Sequence, residues 1–185
     1  MSALNLRRVC LVGVRGIGKT TLVRSVLNAL PDVEHIVGSA VLRELAGAEF
    51  AHFDHLSPEK KQHYREGAIE WMVNHQARTQ KHILCDGHTS LLDESTGTVG
   101  PVFTARDCAF FRELVLLEAP LELVLERRRQ DSSKRRSLDP HTVAAELAGE
   151  RETAASIAER HGMRLHRLGM DTDSQLREKL IDVLT

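Results

Sequence analysis

The sequence predicts an α/β fold in three layers, with a parallel sheet of about five strands and helices on both faces. Three observations predict it. Short apolar runs alternate with longer stretches of helical periodicity along the chain, the pattern of parallel strands joined by crossover helices. The first run, "RVCLV", leads straight into "GVRGIGKTT", a glycine-rich turn that opens a helix. No repeat, low-complexity tract or linker divides the 185 residues, so they read as a single domain over 1–185.

Strands are expected at Val9–Val12, Glu34–Val37, His82–Asp86, Glu113–Glu118 and Arg164–Leu168. Each is a short apolar run of strand length. Helices are expected at Lys19–Leu30, Ala40–Ala46, Pro58–Gln80, Leu121–Gln130, Pro140–Arg160 and Ser174–Leu184. "SPEK" places Ser57 at an N-cap and Pro58 at the first helical position, and "DPHT" repeats this with Asp139 and Pro140. "HG" at His161–Gly162 is a helix stop, since glycine accepts the left-handed conformation.

Composition sets outer bounds. Net charge is −1, so no global field draws nucleic acid or an anionic membrane, and aromatics at 4% leave few platforms for stacked bases. No nucleic-acid or membrane partner is expected. No apolar run approaches the roughly 20 residues that span a bilayer. The N-terminus lacks a secretory pattern. Cys10, Cys85 and Cys108 form no CxxC pair, which suits a reducing cytoplasm. His52 and His55 lie three apart, but no histidine pairs with a cysteine at zinc-finger spacing.

Gly13, Gly16, Gly18, Lys19 and Thr20 match G-x-x-x-x-G-K-[ST], with Arg15, Ile17 and Thr21 in or beside the loop. Glycines let the backbone wrap so that N–H groups point at phosphate oxygens, and the helix start aims its positive end at the same anion. Lys19 is then the residue that reaches the terminal phosphates of ATP, and the Thr20 hydroxyl is a ligand for Mg²⁺. Asp86 closes an apolar strand at the sheet end where such folds bind ligands. A carboxylate there suits Mg²⁺, held through water, or a substrate group.

The run Arg127–Arg136 holds five arginines, one lysine and one aspartate. So many like charges repel unless an anion sits among them or water screens them. In phosphoryl transfer, arginines closing over the moving phosphate stabilise its charge and exclude water.

The order of these parts resembles the adenylate kinases, and most of all their archaeal-type branch. The resemblance rests on the N-terminal loop, "CDGH" (Cys85–His88), "TGTVGP" (Thr96–Pro101), "LEAPLELVLERRRQD" (Leu117–Asp131) and the Lys134–Arg136 cluster. It implies a P-loop kinase sandwich with a short arginine-rich lid at about 130–139 and an acceptor-binding insertion at about 38–80. It implies transfer of the ATP γ-phosphoryl to AMP or a related monophosphate, and it allows a homo-oligomer. Gly13, Arg15, Gly16, Ile17, Gly18, Lys19, Thr20 and Thr21 would hold ATP. Arg43 would clamp the acceptor phosphate, and His88 would face the acceptor. Lys19, Asp86, Arg127, Arg136 and Arg151 would carry the transfer, with Arg128 and Arg129 alternatives to Arg127. One departure stands out: the run after Asp86–Gly87, "HTSL", has no arginine. Two other functions suit the same motifs. One is a P-loop kinase of a hydroxyl acceptor, with Asp86 or His88 as base. The other is an ATP-dependent switch with a protein partner.

Overall fold

The computed structural model describes residues 6–93, 96–131, 136–169 and 171–185. Strand β1 (Arg8–Val12) leads into helix α1 (Lys19–Leu27) through the glycine-rich turn. Strand β2 (Val33–Val37) is followed by α2 (Gly38–Ala46), a 3-10 segment (Gly47–His55) and the long α3 (Pro58–Thr79). Strand β3 (His82–Asp86) precedes a hairpin, β4 (Ser90–Asp93) and β5 (Thr98–Pro101), and a short α4 (Ala105–Phe110). Strand β6 (Glu113–Leu117), α5 (Leu121–Gln130), α6 (Pro140–His161), β7 (Arg164–Leu168) and α7 (Asp173–Leu184) complete the chain.

Five strands pair in the order β2-β3-β1-β6-β7, all parallel. The expected three-layer α/β sandwich is therefore the observed one. Strand β1 lies at its centre, and its side chains show why both faces need helices. Val9 and Leu11 enter one core, Cys10 and Val12 the other, because successive residues leave opposite faces of a strand. The first core is closed by α1, α5 and α7, through Val23, Val124 and Leu180 among others. The second is closed by α2, α3 and α4, through Val41, Met72 and Phe110. Helix α6 serves both, giving Val143 to the first and Ala154 and Ala158 to the second.

The helix signals act as read. Ser57 accepts from the Lys60 N–H at 3.3 Å, Asp139 accepts from the Thr142 N–H at 2.8 Å, and Gly162 takes a left-handed φ of +62°. Three readings need correction. Helix α1 stops at Leu27, short of Leu30, and finishes in tight turns from Leu30 to Leu27 and from Val33 to Leu30. Pro31 explains this, because a proline drives the preceding residue out of helical backbone. Helix α2 begins at Gly38, before Ala40. The stretch 87–112 holds a hairpin and a helix that periodicity did not reveal. Its signals are short: Gly97 at φ +69° in the turn, and a capping box between Thr104 and Asp107. No helix of the described residues is long and apolar enough to cross a membrane. The predicted lid at 130–139 falls partly on residues 132–135, including Lys134 and Arg135, which lie outside the described residues.

Candidate active site

The glycine-rich turn sits at the carboxyl end of β1, between β3 and β6, where open parallel sheets bind ligands. Its shape depends on residues without a side chain at two places. Gly13 has φ +151°, and a Cβ there would stand 2.8 Å from the Leu117 carbonyl oxygen. Gly16 has φ +85°, and a Cβ there would stand 2.9 Å from the Arg128 side chain. Another residue at Gly13 would have to displace the Leu117 backbone, and one at Gly16 the buried Arg128 side chain, and both positions hold the left-handed φ that favours glycine.

Lys19 lies folded over this turn. It is 7% exposed, and its Nζ donates to the Gly13 carbonyl at 2.6 Å. Burial lowers its pKa, while the Asp86 and Glu150 carboxylates oppose the fall. Asp86 Oδ1 lies 3.9 Å from Lys19 Nζ, and Asp86 Oδ2 accepts from the Thr20 hydroxyl at 3.2 Å. The last residue of β3 and the first turn of α1 thus meet at one point. A hydroxyl and a carboxylate side by side suit Mg²⁺ when phosphate oxygens and water complete an octahedron. Thr20 and Asp86 are the residues that would hold it. Among the described residues, no group of three or more His, Cys, Asp or Glu could hold a metal without such help. His52 and His55 both stand exposed on the 3-10 segment.

The arginines after "LELVL" divide into three roles. Arg127 reaches back and donates to the Ile17 carbonyl, which places its guanidinium beside Gly18 in the cavity wall. Arg128 is buried, donates to the carbonyls of Arg15 (2.9 Å) and Ser137 (3.0 Å), and pairs with Glu146 on α6 at 2.8 Å. Arg129 is exposed. So Arg127 faces the site, and Arg128 is a brace for it. Removing one partner of a buried charge pair leaves the other uncompensated. Arg128→Ala should therefore cost about 3 kcal/mol of stability or more. Chemical denaturation checks this; a loss below about 1 kcal/mol would show that Arg128 is not a brace. Arg136 lines the same cavity and pairs with Asp131 at 2.8 Å. Arg151 does not line it: its side chain is 52% exposed and donates to Glu118 at 2.7 Å.

The cavity is large, about 1320 Å³, enough for two substrates. Beyond the phosphate loop it is walled by residues of α2, the 3-10 segment, α3 and α4. Arg43 is exposed on α2 with its guanidinium 4.8 Å from the centre of the Phe50 ring, a cation–π stack. His88 follows β3 and also lines the cavity. Burial, Lys19 and Arg15 push its pKa well below the usual 6.5, so it stands neutral with a ring nitrogen able to accept.

Several residues here were not legible in the sequence. Arg65, on α3, is half-buried in the cavity wall, and burial lowers its pKa. Asp107 and Asp54 act on it through their fields, but among the described residues none pairs with it at contact distance. Asp107 also lines the cavity and has a pKa raised by burial; it accepts from the Thr104 N–H (2.7 Å) and hydroxyl (2.6 Å). Glu150, on α6, is 2% exposed and bonds the loop directly. Nothing in spacing marks a lone arginine or glutamate on a long polar helix. Only its surroundings in the fold reveal it.

The AAA domain family matches residues 12–144, most of the chain, and the chain belongs to that family. No curated protein matches it. Among solved structures, a gluconokinase from Sinorhizobium meliloti 1021 is similar at 11% identity and TM-score 0.57, covering 96% of this chain and 91% of its own. A sugar kinase from a Janibacter species is similar at 18% identity and TM-score 0.60, covering 97% of this chain and 94% of its own. At such identities the likeness is one of fold: this chain has the fold of the P-loop kinases.

Proposed function

We propose that this member of the AAA domain family is an ATP-dependent phosphotransferase, passing the γ-phosphoryl group to a hydroxyl of a small acceptor that also carries an anionic group. The observation that carries the reading is one cavity holding both halves of the chemistry. The phosphate loop, Lys19, Asp86 and His88 lie together in its wall, and α3 adds Arg65, which no carboxylate among the described residues contacts. A half-buried guanidinium without a contacting carboxylate is costly until an anion meets it. The gluconokinase and sugar kinase neighbours support a hydroxyl acceptor.

The roles follow from position. Backbone N–H groups of the turn from Gly16 to Thr20 cradle the phosphates, while the Gly13 N–H stays on Glu150, and Lys19 leaves the Gly13 carbonyl to reach the terminal phosphates. Mg²⁺, when bound, offsets phosphate charge. Arg127 and Arg136 stabilise charge on the phosphoryl group in transit. The acceptor oxygen attacks the γ-phosphorus, the bond to the β-phosphate oxygen breaks, and the hydroxyl proton goes to Asp86. The segment 38–80 is the acceptor side, with Arg43 and Arg65 as its cations.

A second reading, a nucleoside monophosphate kinase, is favoured by one observation: Leu42, Phe50, Phe53, Met72 and Phe103 give much of the cavity an apolar wall suited to a base. One panel tests both. ADP release is followed with ATP·Mg and neutral sugars, sugar acids, sugar phosphates or nucleoside monophosphates. A large rise with a sugar acid or sugar phosphate supports the first reading, and a rise with a monophosphate the second. Turnover of neutral sugars alone overturns the anionic acceptor. Arg65→Gln should raise KM for the best acceptor by about 10- to 100-fold with little change in KM for ATP. An unchanged acceptor KM would remove Arg65 from recognition.

A further inference from the structure

Glu150 has no place in the transfer just described, yet its surroundings are the most fully bonded in the site. Its Oε1 accepts from the N–H of Gly13 (3.0 Å) and of Thr89 (3.0 Å). Its Oε2 accepts from the N–H of Ser90 (2.7 Å) and from the Ser90 hydroxyl (2.8 Å). Four donors converge on one buried side chain, and only an ionised carboxylate can accept from all of them. His88 Nδ1 lies 4.0 Å from Oε1.

The bonded residues matter more than their number. Gly13 opens the phosphate loop, and its carbonyl takes Lys19 Nζ at 2.6 Å. One glycine is therefore gripped from both sides, by Glu150 on its N–H and by Lys19 on its oxygen. Thr89 and Ser90 directly follow His88 on the acceptor side of the cavity. Helix α6 makes a second attachment one turn earlier. Glu146 pairs with Arg128, which holds the Arg15 carbonyl in the loop.

We infer that Glu150 is a positioning residue for the phosphate loop: it fixes Gly13 against the β3–β4 connection and so holds the loop in its nucleotide-receiving shape. It touches neither the phosphates nor the acceptor, and acts through Gly13. Because α6 follows the arginine segment directly, the same helix joins that segment to the loop. The inference rests on the phosphate-loop part of the proposed function and not on the acceptor.

Glu150→Gln is the test. It keeps size and shape but turns a donor toward at least one of the four donors. Full-length wild type and variant are compared by circular dichroism, by melting, and by calorimetric titration with ATP·Mg and with ADP·Mg at a temperature where both are folded. The affinity of the folded variant for both nucleotides should fall by about tenfold or more. A merely structural role would lower the melting temperature and leave that affinity unchanged, and binding within twofold of wild type overturns the inference. If Glu150→Gln does not fold, Ser90→Ala decides: it removes only the hydroxyl donor, so a severalfold loss of affinity supports the inference and no loss overturns it. If wild type binds no nucleotide, the proposed function fails on its own account. Amide exchange at Gly13, Thr89 and Ser90 then decides the strut, with protection lost in the variant supporting it and protection retained overturning it.

Discussion

Replacing Lys19 with alanine should leave a folded protein whose turnover is lower by about a thousandfold or more. Lys19 Nζ donates to the Gly13 carbonyl, in a pocket where it is 7% exposed. A buried ammonium on a flexible stem, beside glycines that leave space for phosphate, is poised to exchange a carbonyl for a phosphoryl oxygen. The loss should fall mainly on kcat, because the charge that Lys19 meets grows during transfer. Some stability should be lost, because buried Asp86 loses the cation 3.9 Å away, but the fold should survive, since Asp86 keeps its bond from Thr20 and Gly13 keeps its bond to Glu150. Steady-state kinetics with the best acceptor, beside a melting curve, checks this. A folded variant turning over within tenfold of wild type would remove Lys19 from the mechanism.

Asp86→Asn should lower kcat by about 10²- to 10⁴-fold. Two effects add. The amide cannot take a proton from the acceptor hydroxyl. It also withdraws the nearest negative charge from Lys19, whose pKa burial already lowers and Asp86 holds up. Asparagine preserves the shape and can still accept from Thr20, so the variant should fold and bind ATP. Because Lys19 and Asp86 act on one another, the double variant should lose less than the product of the two single losses. Full additivity would show two independent roles. Activity within tenfold of wild type would show that the proton goes elsewhere.

How much of this was written in the sequence depends on whether a residue acts through local pattern or distant partners. The phosphate loop was legible because its chemistry is a fixed spacing: Gly13, Gly16, Gly18, Lys19 and Thr20 are neighbours in the chain. Asp86 was legible because it closes an apolar strand at the sheet end already marked by that loop. The five-stranded sheet followed from short runs such as "HILCD" between helical stretches. The arginine run was visible, but not its division of labour. Whether Arg127 or Arg128 faces the cavity depends on Glu146, on another helix, which captures Arg128. Arg65 and Glu150 were invisible for the same reason. Their meaning lies in the surroundings the fold gives them: a cavity wall in the fields of Asp107 and Asp54 for one, and bonds to Gly13, Thr89 and Ser90, all far along the chain, for the other. The hairpin at Ser90–Pro101 was missed because its strands are four residues each, too short for alternation to stand out.

The central claim is that a phosphoryl group passes to a small acceptor and not to water. The most direct measurement is the fate of that group, followed by phosphorus NMR of ATP·Mg with the protein and each acceptor of the panel. The account predicts that one acceptor gives a phosphorylated product in step with ADP, with little inorganic phosphate. Inorganic phosphate equal to ADP whatever acceptor is present would contradict it, and would make the chain an ATP hydrolase whose loop serves some other end.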